Sequence, residues 1–531
     1  MRASLILYSS FLIASLRSLL RSSTRFAVLA VSLCSALASS LLAKPNVLII
    51  QTDEHNFRTL GCYRKLLPPE QAFIWGEGVK VDTPNIDSIA ARGAICTRYY
   101  ATSPVCTPSR AALMTGVYPQ NTGSISNDLP MLDSMETFAA VLGANGYATG
   151  YAGKWHLDGD AKPGWSPSRK FGFEDNRYMF NRGHWKKLGE DASGPKVAAT
   201  NAKGQPDYAI DGADDKSFTT DFLADRAIEF INKNKEKPFC FMVSIPDPHG
   251  PNTVRAPYDT MFDPKPFKQP RSALTKGDQL PSFASIMQDR FIARQMALYF
   301  GMVKCVDDNV GRIIDTLRKN GQIENTILVF TSDHGDMCGE HGRNNKGIPC
   351  EGSARIPFVI AAPGMIQPGT VINEALGTVD FKPTLLSLLG MQGKAAMQGR
   401  DASALFKTGK TPEGWVDQAF VRIGGTDKGG AGWLATFTKR HKLILSPTDD
   451  PALFDLDSDP FEMKNLFHEP AQRELIRTLA KGLEGYLTTR NDPHAKSTSV
   501  MADLAWCLSN ANDYTAPKRD KTRRGKPERD E

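Results

Sequence analysis

The sequence predicts an α/β fold, in which helices cover both faces of a sheet of buried strands. Short, almost wholly apolar runs such as Asn46–Ile50 and Phe239–Ile245 are typical of strands that are buried on both faces. Segments such as Thr220–Ile231 carry apolar residues three and four positions apart, which indicates amphipathic helices. Because the two patterns alternate along most of the chain, they favour one covered sheet over separate helical and β domains.

The elements follow in order from the first strand at Asn46–Ile50. Thr83 and Pro84 mark the start of the next helix and Gly93 marks its end. The stretch 158–216 is rich in Gly, Pro, Lys and aromatic residues without a sustained period, which predicts a long functional loop over one end of the domain. The later elements are a helix within 287–318, strands at Thr326–Phe330 and Ile356–Ala361, and a helix at Lys382–Leu389.

Composition changes near residues 408–414, which predicts a boundary between a larger domain at 44–408 and a smaller one at 416–490. The smaller domain is predicted to be α+β, with an antiparallel sheet and one helix packed on it. Its predicted elements are strands at Ala419–Ile423, Trp433–Thr438 and Lys442–Leu445 and a helix at Glu474–Leu487. Residues 517–531 are highly charged and are predicted to be a disordered tail.

The net charge of +6 over 531 residues lies at the two ends of the chain. Four arginines and no acids precede residue 39, and seven basic residues face four acidic ones from Lys518 to Glu531. The remaining body carries a net charge of −1. No nucleic-acid partner is therefore expected.

The N-terminus is typical of an export signal. Four arginines flank or precede the apolar run Phe26–Cys34, and Ala36-Leu37-Ala38 fits a cleavage site, which predicts a signal peptide at 1–38. The chain is then exported, to the periplasm or outside the cell, and retains no stable membrane span. A retained anchor, a lipidated Cys34 and a translation start further downstream stay open as alternatives. The nine cysteines show no metal-type spacing, and no disulfide pairing can be deduced from them.

One stretch, Ser103–Gly116, carries the strongest chemical signal. Thr107 is expected to cap a helix whose first residue is Pro108 and whose end is marked by Gly116. Cys106 then lies at the positive end of that helix, with Arg110 one turn later. A thiol beside a guanidinium group predicts a nucleophile that handles anions, although a plain buried cysteine is the commoner case.

Four polar clusters follow predicted strands, and the carboxyl ends of parallel strands meet at one edge of a sheet. We therefore expect one site there, with Cys106 within it. Three of its carboxylates, Asp53, Glu54 and Asp333, are suited to a hard divalent cation. The clusters are Asp53-Glu54, Lys154-Trp155-His156, His249 and Asp333-His334.

Cys-x-Pro-Ser-Arg followed by Ala-Ala-Leu-Met-Thr-Gly, from Cys106 to Gly116, resembles the maturation signature of the type I sulfatases. The resemblance extends from about Asn46 to Leu466. It implies an alkaline-phosphatase-like fold, with a large mixed and mostly parallel sheet and a smaller C-terminal domain. It also implies that a formylglycine-generating or sulfatase-maturing enzyme oxidises Cys106 to formylglycine. The reaction implied is hydrolysis of a sulfate ester.

The same resemblance implies a role for each site residue. The metal ligands are Asp53, Glu54, Asp333, His334 and an oxygen of the modified Cys106. Ca²⁺ is the expected ion, but the imidazole of His334 is a poor calcium ligand, so Mg²⁺ and Mn²⁺ stay open. Glu54 stands where aspartate is usual, and its extra methylene can alter the coordination. In the catalytic set, Lys154 and His156 hold the oxygens of the hydrate and of the sulfate, and Arg110 lies beside the hydrate. His249 and Lys346 face the leaving oxygen, where one of them can act as general acid.

Several other functions share parts of this pattern. A phosphodiester or phosphonate monoester hydrolase of the same superfamily can mature a cysteine in this motif. A non-catalytic protein that binds sulfated glycans would keep Cys106 as a thiol. A two-zinc phosphatase fits less well, because it needs more His and Asp ligands. For a sulfatase, the long loop at 158–216 favours a sulfated carbohydrate, with Arg182 and Trp185 as contact residues.

Overall fold

The computed structural model describes residues 44–274, 291–424 and 432–519. The predicted signal peptide at 1–38 and most of the predicted tail lie outside the described residues. Within the described part, none of the helices is both long and apolar enough to cross a bilayer. Each of the eight cysteines there carries a free thiol.

Strands make up a large mixed sheet, a C-terminal antiparallel sheet and two short pairs. In chain order they are β1 (Asn46–Asp53), β2 (Ala94–Cys96), β3 (Tyr99–Tyr100), β4 (Ala148–Lys154), β5 (Asp175–Phe180), β6 (Leu188–Asp191), β7 (Gly194–Val197), β8 (Phe239–Pro248), β9 (Thr326–Ser332), β10 (Phe358–Ala361), β11 (Thr370–Ile372), β12 (Leu376–Gly377), β13 (Ala419–Ile423), β14 (Trp433–Phe437), β15 (His441–Leu445) and β16 (Ala452–Asp455).

Helices connect and cover these strands. They are α1 (Gly61–Arg64), α2 (Pro69–Ala72), α3 (Pro84–Ala91), α4 (Cys106–Thr115), α5 (Phe138–Ala144), α6 (Thr219–Lys233), α7 (Arg271–Leu274), α8 (Ala293–Lys319), α9 (Glu351–Ala354), α10 (Phe381–Leu388), α11 (Ser403–Thr408), α12 (Arg473–Thr489) and α13 (Thr498–Leu508).

The large sheet has eight strands in the order β11-β2-β10-β9-β1-β8-β4-β5. Its strands run parallel to their neighbours except β10, which is antiparallel to both β9 and β2. The predicted mixed, mostly parallel sheet is confirmed. Because β1, β4, β8 and β9 are parallel, their carboxyl ends lie together at one edge of the sheet.

The sheet is covered on both faces, as β1 shows. All eight of its residues are buried. Val47 and Ile49 pack into one apolar cluster, and Leu48 and Ile50 pack into another on the opposite face. Successive side chains of a strand point to opposite faces, so this division requires two helical layers.

The C-terminal sheet consists of β13, β14, β15 and β16 in chain order, with each pair antiparallel. Helix α12 packs on it, because Leu479 and Leu483 share a buried cluster with Leu434 and Leu443. The predicted α+β character of this part is confirmed. The domain limits at 408 and 416 and the disordered tail stay predictions; of that tail, Arg519 is described and pairs with Asp503 at 2.8 Å.

Two local predictions were wrong. The stretch 158–216 is not one long loop, since it contributes the edge strand β5 and the hairpin of β6 and β7. Thr107 does not cap the helix, because α4 already begins at Cys106. The amide of Thr107 is satisfied by Asn127 Oδ1 at 3.1 Å, a side chain that comes from another loop.

Candidate active site

The carboxyl edge of the sheet brings the predicted residues together around Cys106. Asp53 ends β1 and Lys154 ends β4, while Asp333 and His249 directly follow β9 and β8. Cys106, the first residue of α4, is fully buried. Glycine at 153 allows β4 and β8 to approach closely here, since a Cβ would lie 1.9 Å from the carbonyl oxygen of Ser244.

The thiol of Cys106 contacts three polar side chains. Its Sγ atom lies 3.2 Å from His334 Nε2, 3.5 Å from Lys154 Nζ and 3.8 Å from Asp53 Oδ1. The helix start contributes the positive end of its dipole at the same point. An oxygen bound at the position of Sγ would therefore meet an ammonium group, an imidazole and a carboxylate.

Arg110 holds two buried carboxylates of the site. Its guanidinium donates to Asp333 Oδ2 at 2.9 Å and to Asp53 Oδ2 at 3.0 Å. It also donates to the Lys154 carbonyl at 2.8 Å and to Ser244 Oγ at 2.7 Å. All of these groups are buried, so every hydrogen bond forms away from water.

Lys154 supplies the second positive charge beside Asp53. Its Nζ atom donates to Asp53 Oδ2 at 2.7 Å. Burial alone would raise the pKa of Asp53, but Lys154, His249 and Arg110 outweigh it and hold that pKa well below its usual range. Burial likewise opposes the charge on Lys154, yet Asp53 raises the pKa of the ammonium group. The pair therefore stays ionised.

Two histidines of the site are neutral. Burial lowers the pKa of His334 to about 4, and burial together with the charge of Lys154 lowers that of His156 to about 4. His334 Nδ1 lies 3.0 Å from the carbonyl of Gly335, which can only accept. The proton is therefore on Nδ1, and the lone pair of His334 Nε2 faces the thiol.

His249 and Lys346 form a second polar pair, which Glu54 joins. Lys346 Nζ donates to His249 Nε2 at 2.8 Å, and His249 Nδ1 donates to the carbonyl of Gly250 at 2.9 Å. Glu54 Oε2 lies 3.1 Å from His249 Nε2, and Glu54 Oε1 lies 3.7 Å from Lys346 Nζ. Lys346 is 9% exposed, so it belongs to the site and not to a solvated loop.

Sequence reasoning missed two members of the site. Lys154 Nζ donates to His184 Nε2 at 2.6 Å, and the ring of His184 stacks on that of His249 with centroids 3.4 Å apart. Asp128 Oδ1 accepts from His156 Nε2 at 2.9 Å, and its other oxygen pairs with Arg182 at 3.0 Å. Both come from loops, where no periodic pattern marks a functional residue.

The expected substrate contact at Trp185 was wrong. Its side chain is 2% exposed and stacks on Tyr208 within the core. The indole is therefore used to fix the loop that carries His184.

Four of the predicted metal ligands lie close enough to share one ion. Asp53, Cys106, Asp333 and His334 each offer a ligand atom, and these atoms lie within 4.8 Å of one another. Two carboxylates and a neutral imidazole with its lone pair inward fit a divalent cation. The Glu54 carboxylate lies against His249 instead.

Comparison with known proteins agrees with this geometry. The sulfatase family model matches residues 45–391, and a model described as the C-terminal part of N-sulphoglucosamine sulphohydrolase matches 339–488. An N-acetylglucosamine-6-O-sulfatase of Bacteroides thetaiotaomicron is 26% identical over 93% of this chain and 96% of its own. An ulvan-active sulfatase of Formosa agariphila is 29% identical over 83% of this chain and 81% of its own.

A solved structure has the same fold. The putative sulfatase YidJ of Bacteroides fragilis superposes with a TM-score of 0.67 at 27% identity, covering 86% of this chain and 97% of its own. The family model spans well over half of the chain and includes all eleven residues of the cysteine motif. This chain therefore belongs to the sulfatase family, and it is a sulfate ester hydrolase.

Proposed function

We propose that the protein hydrolyses sulfate monoesters of a carbohydrate, using formylglycine made from Cys106 and one divalent cation. The observation that carries this proposal is the placement of Cys106 Sγ, which lies within 3.8 Å of His334, Lys154 and Asp53. The sulfur marks where the oxygens of a matured residue 106 would lie. A hydrated aldehyde supplies one hydroxyl to attack sulfur and a second whose deprotonation expels sulfate.

The acidic side of the site would hold the cation. Asp53, Asp333 and His334 are its ligands together with residue 106, and Glu54 is the further ligand that the family resemblance assigns. A bound divalent cation lowers the pKa of a hydroxyl beside it. We propose Ca²⁺, because carboxylates predominate among the donors; Mg²⁺ and Mn²⁺ have the same preference for oxygen.

The basic side would bind the sulfate group. Lys154 donates to its oxygens, His156 accepts from a hydroxyl of residue 106, and Arg110 fixes the two carboxylates that face them. His249 and Lys346 are 2.8 Å apart, so a proton can be held at either nitrogen and given to the leaving oxygen. A charge that develops on that oxygen is stabilised by the same two groups.

The relatives support a class of substrate, and the N-terminal sequence supports a location for the protein. Two relatives are named for activity on N-acetylglucosamine and on ulvan, which supports a sulfated carbohydrate here. We propose that residues 1–38 export the chain to the periplasm or outside the cell. A formylglycine-generating or sulfatase-maturing enzyme is the partner that Cys106 requires, and 44–408 is the catalytic domain.

Mass spectrometry of the Cys106 peptide from protein made in its native host is the first test. We expect the mass of the aldehyde or its hydrate in place of the thiol. The second test compares turnover of 4-nitrophenyl sulfate with that of matched phenyl phosphonate and phosphodiester substrates. We expect the sulfate to be strongly preferred. The opposite preference would make the protein a phosphonate or phosphodiester hydrolase, and a thiol alone at 106 would favour a binding protein.

Asp128 is expected to act as a positioning residue for His156. It accepts the proton of His156 Nε2, which leaves Nδ1 of the ring free to accept from a hydroxyl. Replacing Asp128 with Ala should lower kcat about 10- to 100-fold with a smaller change in KM. The control is Asp128→Asn, which keeps an acceptor oxygen and tolerates the observed φ of 64°. Equal losses in both variants would contradict this role.

A further inference from the structure

Lys346 lies in a segment without regular secondary structure, between the short helical turn Glu340–Gly342 and helix α9. Its two neighbours in the chain, Asn345 and Gly347, have φ angles of 64° and 87°, both in the left-handed region. The hydrogen bonds of a helix or a strand therefore do not fix the backbone of Lys346. Contacts with other parts of the chain do so instead.

The two sides of Lys346 are held in different ways. On the N-terminal side, the amide of Asn345 donates to Asp336 Oδ1 at 3.0 Å, a contact within the same loop. On the C-terminal side, the amide of Gly347 donates to the carbonyl of Pro104 at 3.2 Å. Pro104 precedes Cys106 by two residues. The backbone beside Lys346 is thus joined directly to the segment that carries the proposed nucleophile.

Two side chains of the C-terminal sheet also hold this backbone. Trp433, the first residue of β14, donates from Nε1 to the carbonyl of Gly347 at 3.2 Å. Lys442, on β15, donates from Nζ to the carbonyl of Pro349 at 2.8 Å. Trp433 is 1% exposed and Lys442 is fully buried. The two carbonyls come one and three residues after Lys346, so the sheet fixes the chain that carries its side chain.

The ammonium group of Lys442 is itself held by charged and aromatic neighbours. Its Nζ atom contacts the Glu462 carboxylate, lies 3.2 Å from Glu351 Oε1 and lies 4.7 Å from the ring centroid of Phe437. Burial opposes the charge, but Glu462 and Glu351 raise the pKa of the ammonium group. Lys442 therefore stays charged, and a charged donor makes the stronger hydrogen bond to a carbonyl.

We propose that Trp433 and Lys442 are positioning residues, through which the C-terminal sheet sets where the ammonium group of Lys346 meets His249 and the leaving oxygen. The inference rests on the proposed function, in which Lys346 and His249 act on that oxygen. A displacement of about 1 Å at a reacting group can cost about 100-fold in rate. We therefore expect the loss of either contact to matter most for esters whose leaving oxygen needs a proton.

The test compares kcat/KM for phenyl sulfate and 4-nitrophenyl sulfate. The two esters share a ring, but phenolate leaves as the stronger base and gains more from a proton donor. Trp433→Phe removes the indole N–H and keeps an aromatic ring. We expect it to lower kcat/KM about tenfold for phenyl sulfate and much less for 4-nitrophenyl sulfate. Lys442→Met should lower the phenyl to 4-nitrophenyl ratio in the same direction. Loss of folded protein would lower both values equally and leave the ratio unchanged.

Trp506→Phe is the matched control. Trp506 Nε1 donates to the carbonyl of Asp513 at 2.9 Å, so this variant loses the same kind of hydrogen bond elsewhere in the C-terminal part of the chain. It should not change the ratio. A double-mutant cycle then shows whether Trp433 acts through Lys346. Lys346→Met should itself lower the ratio, and adding Trp433→Phe should lower it no further.

The proposal is overturned if neither Trp433→Phe nor Lys442→Met lowers the ratio more than Trp506→Phe does. It is also overturned if Trp433→Phe has the same effect in the Lys346→Met background, or if the parent protein hydrolyses 4-nitrophenyl sulfate but not phenyl sulfate. An unchanged ratio in Lys346→Met would refute the proposed role of Lys346 and this inference with it. Turnover of neither ester by the parent protein would instead refute the proposed function.

Discussion

Cys106→Ala is expected to abolish sulfate ester turnover while leaving the fold intact. The side chain is fully buried and contacts His334, Lys154 and Asp53, and its loss removes the thiol that must be oxidised to form the proposed nucleophile. Removal of a covalent nucleophile lowers kcat by roughly 10⁴-fold or more in well-studied hydrolases. The measurement is turnover of 4-nitrophenyl sulfate, with urea unfolding to confirm that stability changes by no more than about 1–2 kcal/mol.

The same variant separates catalysis from binding. A sulfated sugar should still bind to Cys106→Ala, because Lys154, His249 and Lys346 remain in place. Turnover comparable to that of the parent protein would show that residue 106 is not the nucleophile, and the mechanism proposed above would then be wrong.

Arg110→Met is expected to destabilise the fold as well as to remove activity. Arg110 donates to Asp53 and to Asp333, and neither carboxylate is exposed. Breaking a buried ion pair leaves an uncompensated charge, which costs about 3–5 kcal/mol. Urea unfolding should show a loss of that size, and Arg110→Lys, which keeps the charge but cannot bridge both carboxylates, should lose less.

A divalent cation offers a check on the metal site that does not depend on turnover. Because Ca²⁺ would bind Asp53 and Asp333, adding it should restore part of the stability lost in Arg110→Met, and a chelator should remove that gain. If neither Ca²⁺ nor Mg²⁺ changes the unfolding midpoint of this variant, the two carboxylates are not cation ligands.

The sequence predicted those strands whose apolar residue pattern matches their burial in the folded chain. Strands β1, β8 and β9 are continuous apolar runs, and the chemistry at their carboxyl ends follows from the parallel sheet. Strand β5 was missed because Asp175–Phe180 lies at the sheet edge and mixes charged with apolar residues. The antiparallel direction of β10 was equally hidden, since an apolar run carries no information about direction.

The site residues that the sequence did not reveal come from loops that meet only in the folded chain. His184 contacts Lys154 across 30 positions, and Asp128 contacts His156 across 28. Thr107 illustrates the same limit, because Asn127 supplies the cap that its own side chain was expected to provide. Tertiary contacts override local propensity at these places.

The burial of helix α4 has a consequence for the order in which the chain folds and Cys106 is oxidised. Every residue from Cys106 to Thr115 is buried. On the proposed function, the maturing enzyme can therefore reach the thiol only before the surrounding strands have closed over it. The fraction of catalytically active molecules then depends on how fast Cys106 is oxidised relative to how fast the chain folds during synthesis. Molecules that fold first stay inactive until they unfold again.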